Sequence, residues 1–204
     1  MKYSDLIGVK ATDNLSHWIP MCEKWSDFLV KYTSITHESD TAFNTNERAN
    51  IGTLASAAWA SGYIALEEFQ DIKGDEKTSR NGRVDLWLRS PCGQSEYIEA
   101  KYKKCSINGN FIKHINEYLG KAIDDALHTK GGSDVNSVGL TFFVPYMKKS
   151  RSGNITEDLN YVLSTIENNI EHDLLAWCFP ERDINYRHYD GYAVPGVIMI
   201  ARKL

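Results

Sequence analysis

Between residues 63 and 127 the hydrophobic pattern changes period once. Tyr63 to Ile72, Arg83 to Arg89 and Ser95 to Lys103 read as extended segments, and in the second of them Val84, Leu86 and Leu88 alternate with Asp85 and Trp87. A period of two is that of a strand with one buried face. Lys73-Gly74-Asp75 and Pro91-Cys92-Gly93 supply the turns between the three. The period then lengthens to that of a helix, with Ile112, Ile115, Leu119, Ala122, Ile123, Ala126 and Leu127 on one stripe that Gly131-Gly132 ends. Val138 to Tyr146 follows as a buried strand closed at Pro145. Three strands in a meander, then a helix, then a strand bury their apolar faces together only as a sheet with helices packed on it. The expectation is therefore an α/β (α+β) fold with a mixed central sheet flanked by helices.

Neighbouring segments extend the pattern. Leu159, Val162, Leu163, Ile166 and Ile170 predict a further helix, and Leu174 to Phe179 and Val194 to Ala201 two late strands. Upstream, Ile51, Leu54, Ala55 and Ala58 recur at helical spacing, with Gly62 as a C-terminal stop. Asn44, three residues before Glu47, fits a capping box at the start of that helix. Residues 1–45 read differently. Leu15, Trp18, Ile19, Cys22, Trp25, Phe28, Leu29 and Tyr32 predict one helix, over roughly 14–33, and a polar stretch follows it. The expected organisation is an N-terminal helical extension, 1–45, packed on a domain spanning 46–204. Its stripe through Trp18, Trp25 and Phe28 reads as facing its own core, with docking on a partner as the alternative.

Composition narrows the function. No apolar run approaches the roughly 20 residues of a membrane helix. The first residues hold neither a continuous apolar core nor a small-residue cleavage site, so the default location is the cytoplasm. The four cysteines form no CxxC pair and the six histidines are scattered, so no zinc or redox motif is predicted. No G-x-x-x-x-G-K loop is present to cradle a nucleotide. A net charge of −4 argues against a general nucleic-acid coat but leaves room for one basic face. The charges do segregate: residues 73–104 carry eight Lys/Arg against five Asp/Glu, whereas 154–175 carry five acidic residues and no Lys or Arg.

The chemistry gathers in GRVDLWL and YIEAK. Asp85 interrupts an apolar strand, where Asp is disfavoured. Glu99 and Lys101 stand two apart on the next strand and project to one face. A hairpin of this length places Asp85 beside Glu99. Phosphodiester hydrolysis uses such a set. Mg²⁺ prefers oxygen ligands and is held by one or two carboxylates, which assigns it to Asp85 and Glu99, with the Ala100 carbonyl as a further ligand and Mn²⁺ as a substitute. Lys101 would orient the attacking water or stabilise the charge that develops on the phosphate. The competing reading of Glu99 and Lys101 is a solvated cross-strand charge face, which leaves Asp85 unexplained.

Asp85, thirteen intervening residues and Glu99-Ala100-Lys101 resemble the D…(D/E)XK signature of the PD-(D/E)XK (restriction-endonuclease-like) nuclease superfamily. The element order from residue 44 to 146 resembles that family's αβββαβ core, and ERANIGTLASAAWASG its first core helix. Val84 stands where the eponymous motif has proline. The resemblance implies a Mg²⁺-dependent endonuclease acting on DNA rather than RNA, in restriction, defence or repair. It implies that an acidic residue of the first core helix, here Glu47, completes the metal site; Glu67 or Glu68 is the alternative. It allows a homodimer or a subunit of a larger complex, and a non-catalytic binding module on the same fold. Lys103 and Lys104 beyond the site, and Lys148, Lys149 and Arg151 in the loop after the fourth strand, are candidate contacts to a nucleic-acid backbone. Trp87 shares the face of Asp85, and Trp59 reads as core.

Overall fold

The computed structural model describes residues 6–36, 41–73, 80–129, 134–148, 150–151, 153–185 and 191–204. The expected Gly74-Asp75 turn and Gly131-Gly132 stop lie outside them. In chain order the elements are β1 (Leu6–Ala11), α1 (Ile19–Ile35), α2 (Glu47–Ala60), β2 (Ile64–Lys73), β3 (Arg80–Arg89), β4 (Ser95–Ser106), α3 (Phe111–Leu127), β5 (Asn136–Tyr146), α4 (Ile155–Asn169), β6 (Leu174–Phe179), α5 (Glu181–Asn185) and β7 (Val197–Lys203). Among the described residues seven strands form one sheet in the order β1-β6-β7-β5-β4-β3-β2. β4 and β5 run parallel, which requires the α3 crossover, and every other neighbouring pair is antiparallel. The fold is thus a mixed sheet flanked by helices. No helix among the described residues is long and apolar enough to cross a membrane.

Each face of the sheet has its own core. On one, Trp18, Met21, Trp25 and Leu29 of the N-terminal segment and Leu54 and Ala58 of α2 pack on Leu86, Ile98, Leu140 and Met199. On the other, Ile115 and Leu119 of α3 and Val162 and Ile166 of α4 pack on Phe143, Leu175 and Ile198. Trp18 and Trp25 are fully buried, so the N-terminal stripe is spent on this chain's own core. Glu96, also fully buried, fastens that segment to the start of β4 by accepting from Trp18 Nε1 (3.2 Å) and pairing with His17 Nε2 (2.6 Å).

Four local expectations change. The N-terminal segment supplies a strand as well as a helix. β1 lies along β6, and Gly8 is required there because the Trp177 ring lies across it; a Cβ would meet the ring at 2.2 Å. The single helix expected from residue 14 is a 3-10 turn, Ser16–Trp18, followed by α1 from Ile19. Pro20 explains the break, since proline is tolerated only in a helix's first turn. Asn46, not Asn44, caps α2: its side chain accepts from the Ala49 N–H, while the Asn44 side chain accepts from Lys104 Nζ (2.8 Å). Glu47 is therefore the first residue of the helix and not the third of a capping box. Finally, Trp59 is not core. It is 55% exposed at the sheet edge, with its indole N–H donating to the Ala65 carbonyl of β2.

α3 is seated on the sheet by a close approach at Gly139. A Cβ there would lie 2.7–2.9 Å from the side chain, N and Cα of Ile123. Backbone cannot yield cheaply, so a larger residue must lift the helix. Gly139→Ala is expected to destabilise the protein by roughly 1–3 kcal/mol. Urea unfolding followed by circular dichroism measures it, and an unchanged midpoint would count against this account of the α3 seat.

Candidate active site

The sheet divides at Asp85. The β3–β4 ladder runs from Arg89↔Ser95 to Leu86↔Ile98 and stops. Beyond it β4 continues on β5, and β3 continues on β2. In the β2–β3 ladder only the position of Glu68 and Asp85 is skipped. Asp85 is thus released from both neighbours. Its carboxylate takes over the bond the ladder abandons: the Ala100 backbone N–H donates to Asp85 Oδ2 at 2.7 Å.

Opposite Asp85, Glu68 adopts a left-handed conformation (φ 53°), rare for a residue other than glycine, Asn or Asp. It reverses the facing of β2. Ala65 packs in the core under α1 and α2, whereas Phe69, four residues on, meets the Tyr97 ring on the other face at 5.4 Å. Lys73, four further on, reaches Glu99. Its backbone pairs with Thr129, just past α3. The β2–β3 arm therefore curls across β4, and Glu99 is buried beneath it, 2% exposed.

Four of the expected residues meet at this division. Glu99 Oε1 accepts from Lys73 Nζ (2.5 Å) and Thr129 Oγ1 (3.0 Å). Lys101 Nζ pairs with Asp125 Oδ2 of α3 (2.7 Å) and donates to the Ala100 carbonyl (3.0 Å). Glu47, at the N-terminus of α2, accepts from the Tyr102 backbone N–H and lies within electrostatic reach of Lys101 and Asp85. Of the two alternative acids on β2, Glu68 acts on Asp85, pairing as well with Arg83 (3.3 Å). Glu67 lies against α2, with an oxygen 3.5 Å from the space beside Gly52.

The carboxyls of Glu47, Asp85 and Glu99 are all pushed above their ordinary range, in each case first by burial. Asp85's charge adds to the rise at Glu47 and Glu99, and Lys101 or Lys73 opposes it only in part. Burial acts to lower the Lys101 ammonium, but the bond to Asp125 and the charges of Asp125, Glu47 and Asp85 outweigh it, so the net shift is upward. Lys101 is accordingly charged at neutral pH.

The donors of this set are carboxylate oxygens, the ligand type that hard divalent ions take. With Asp125 the group comprises four carboxylates against two ammonium ions, a net charge of −2 when all are ionised. Among the described residues no three His, Cys, Asp or Glu side chains form a ready-made metal cage. The Glu99 oxygen is turned to Lys73 and Thr129 instead.

Among the described residues, the basic side chains expected to hold a backbone lie on both faces of β4, and Lys104 is joined to Lys148 through the Tyr146 and Tyr192 rings, 5.6 Å apart. Lys103, half-buried, shares the face of Lys101 and stands over the Tyr118 ring at 4.7 Å. Lys104 is exposed on the opposite face beside Asn44. Lys148 stands over Tyr192 (5.6 Å) and Arg151 over Tyr161 (4.5 Å). Lys149 lies outside the described residues. Trp87 donates its indole N–H to Ser95 Oγ (2.7 Å). Lys73, Thr129 and Asp125 were not read as site residues in the sequence, and no local motif marks them.

The chain matches no family model, no curated protein and no solved structure.

The raised carboxyls fix a pH dependence. A folded-state pKa above the unfolded value favours folding at pH below the ordinary carboxylate range, and that contribution is lost as pH rises through the raised value. At neutral pH the ionised Asp85 is therefore a cost to the fold. Asp85→Asn keeps an oxygen for the Ala100 N–H and removes the charge. In EDTA at pH 7 it is expected to stabilise the protein by about 1 kcal/mol. The gain should vanish as pH falls below about 4. Denaturant unfolding at the two pH values checks it; a lower midpoint at pH 7 would contradict the burial argument.

Proposed function

We propose that this chain is a Mg²⁺-dependent nuclease, with Mn²⁺ as a substitute, that hydrolyses phosphodiester bonds of DNA in the manner its resemblance to the PD-(D/E)XK superfamily implies. The observation that carries the reading is the convergence of Glu47, Asp85, Glu99 and Lys101 from three separate elements at the division of the sheet. Three partly desolvated carboxyls held together against their own repulsion are a cost that packing alone does not call for. Perturbed groups of this kind concentrate at functional sites.

Asp85, Glu99 and Glu47 would hold the metal, with the Ala100 carbonyl beside them. Bound there, Mg²⁺ would supply a polarised phosphoryl oxygen and a water of lowered pKa. The chain's own groups do the positioning. The Ala100 N–H fixes the Asp85 carboxylate, and Thr129 fixes Glu99. Asp125 and the Ala100 carbonyl hold the Lys101 ammonium, which would orient the attacking water or stabilise charge on the scissile phosphate. Lys103 continues that face and is placed to meet the substrate backbone. The reading puts the protein in the cytoplasm, with DNA ahead of RNA as its partner and restriction, defence or repair as its role. A homodimer or a larger complex would bring two such sites to the two strands.

The test is cleavage of supercoiled plasmid and of single-stranded DNA and RNA by the purified chain in Mg²⁺, Mn²⁺ or EDTA. Metal-dependent cleavage is expected, lost in Asp85→Ala and lowered roughly 10²–10³-fold in Lys101→Ala. No cleavage of any substrate, together with no thermal stabilisation by either ion, would overturn the enzyme and leave the non-catalytic binding subunit on the same fold.

A further inference from the structure

Glu99 is a buried carboxylate already provided with a cation. Lys73 Nζ lies 2.5 Å from Oε1, and the two side chains are 15% and 3% exposed. This pair is built into the fold. Gly82, on the facing strand, clears a path for the lysine stem: a Cβ there would fall 2.6–3.2 Å from Cδ, Cγ and Cβ of Lys73. The Lys73 backbone is pinned by its pairing with Thr129, and the Thr129 hydroxyl donates to the same carboxylate oxygen. The other lysine of the site is committed elsewhere, to Asp125 and the Ala100 carbonyl.

We propose that Lys73 is the site's resident counter-cation: its ammonium holds one oxygen of the Glu99 carboxylate, and a divalent ion taken by that carboxylate displaces it. This rests on the metal-dependent reading of the site. Glu99 Oε1, which accepts from both the Lys73 ammonium and the Thr129 hydroxyl, has little left to offer a metal, and an ammonium on the same carboxylate as a divalent ion is repelled by it. Lys73 thus keeps the buried carboxylates compensated without metal, lowers the site's affinity for the ion, and is released as a free ammonium beside the site once the ion arrives. It acts through Glu99 and is a positioning residue.

The experiment is calorimetric titration of the full chain with Mn²⁺ alone. It compares the wild type with Lys73→Met, which keeps the stem on Gly82, with Lys73→Arg, which keeps the charge, and with Lys121→Met, a matched charge loss on the exposed side of α3. Lys73→Met is expected to bind Mn²⁺ roughly tenfold more tightly, the usual worth of one charge-assisted hydrogen bond. Lys73→Arg should bind no more tightly than wild type, and Lys121→Met within about twofold of it, because exposed charges are screened. A second measurement needs no variant. Acetylation of wild-type Lys73, followed by mass spectrometry, should speed up several-fold when Mn²⁺ is added. Wild type that binds Mn²⁺ while Lys73→Met binds no more tightly, or while Lys73 acetylation is unchanged, overturns the inference and leaves the nuclease reading standing. Wild type that binds no Mn²⁺ at all overturns both.

Discussion

One hydrogen bond organises the site: the Ala100 N–H to the Asp85 carboxylate. Where two strands of a sheet separate, backbone groups lose their partners, and a buried unpaired N–H costs as much as a lost hydrogen bond. Here the aspartate side chain supplies the missing acceptor one position beyond the last β3–β4 pair. The separation of the two strands and the acid that faces it are therefore one feature. Removing the carboxylate entirely would leave the division unsupported as well as the site incomplete.

The rest of the site follows from what the division releases. Freed from β4, the β2–β3 arm bends, and the left-handed backbone at Glu68 turns Phe69 and Lys73 to the side that Ala65 does not face. The arm closes on Thr129, whose position depends in turn on α3 and on the absence of a side chain at Gly139. Gly139 pairs with Glu99 in the parallel ladder, so the residue that seats the helix neighbours the residue the helix end helps to hold. The stability of the two cores carries the local cost of three partly buried carboxyls, two of them raised further by the charge of Asp85.

This geometry explains which parts were legible in the sequence. Asp85, Glu99 and Lys101 stood out because a period of two makes any polar residue on a strand conspicuous and fixes which residues share a face. α2, α3 and α4 were legible from apolar residues at helical spacing, and β5, β6 and β7 from continuous apolar runs. β1 was not: six residues containing Gly8 and Lys10 carry too little pattern, and its place is set by β6, far away in the chain. The boundary of α1 is written in Pro20, which fits only the first turn of a helix. The cap of α2 was misassigned between two asparagines two residues apart, because either satisfies the local rule and only the extended backbone of Asn46 decides.

Lys73 and Asp125 show the limit most clearly. Lys73 reads as the first residue of a turn, and Asp125 falls between the apolar positions of the α3 stripe. Their roles arise because β2 reverses its facing at a glutamate, a residue type that gives no sign of left-handed backbone, and because the α3 crossover returns beside β4. A lysine becomes a counter-ion only when folding delivers it to a carboxylate that water cannot reach. Charge partners of this kind are properties of the closed sheet arm, so they depend on contacts between residues as distant as Lys73 and Thr129 and not on any local motif.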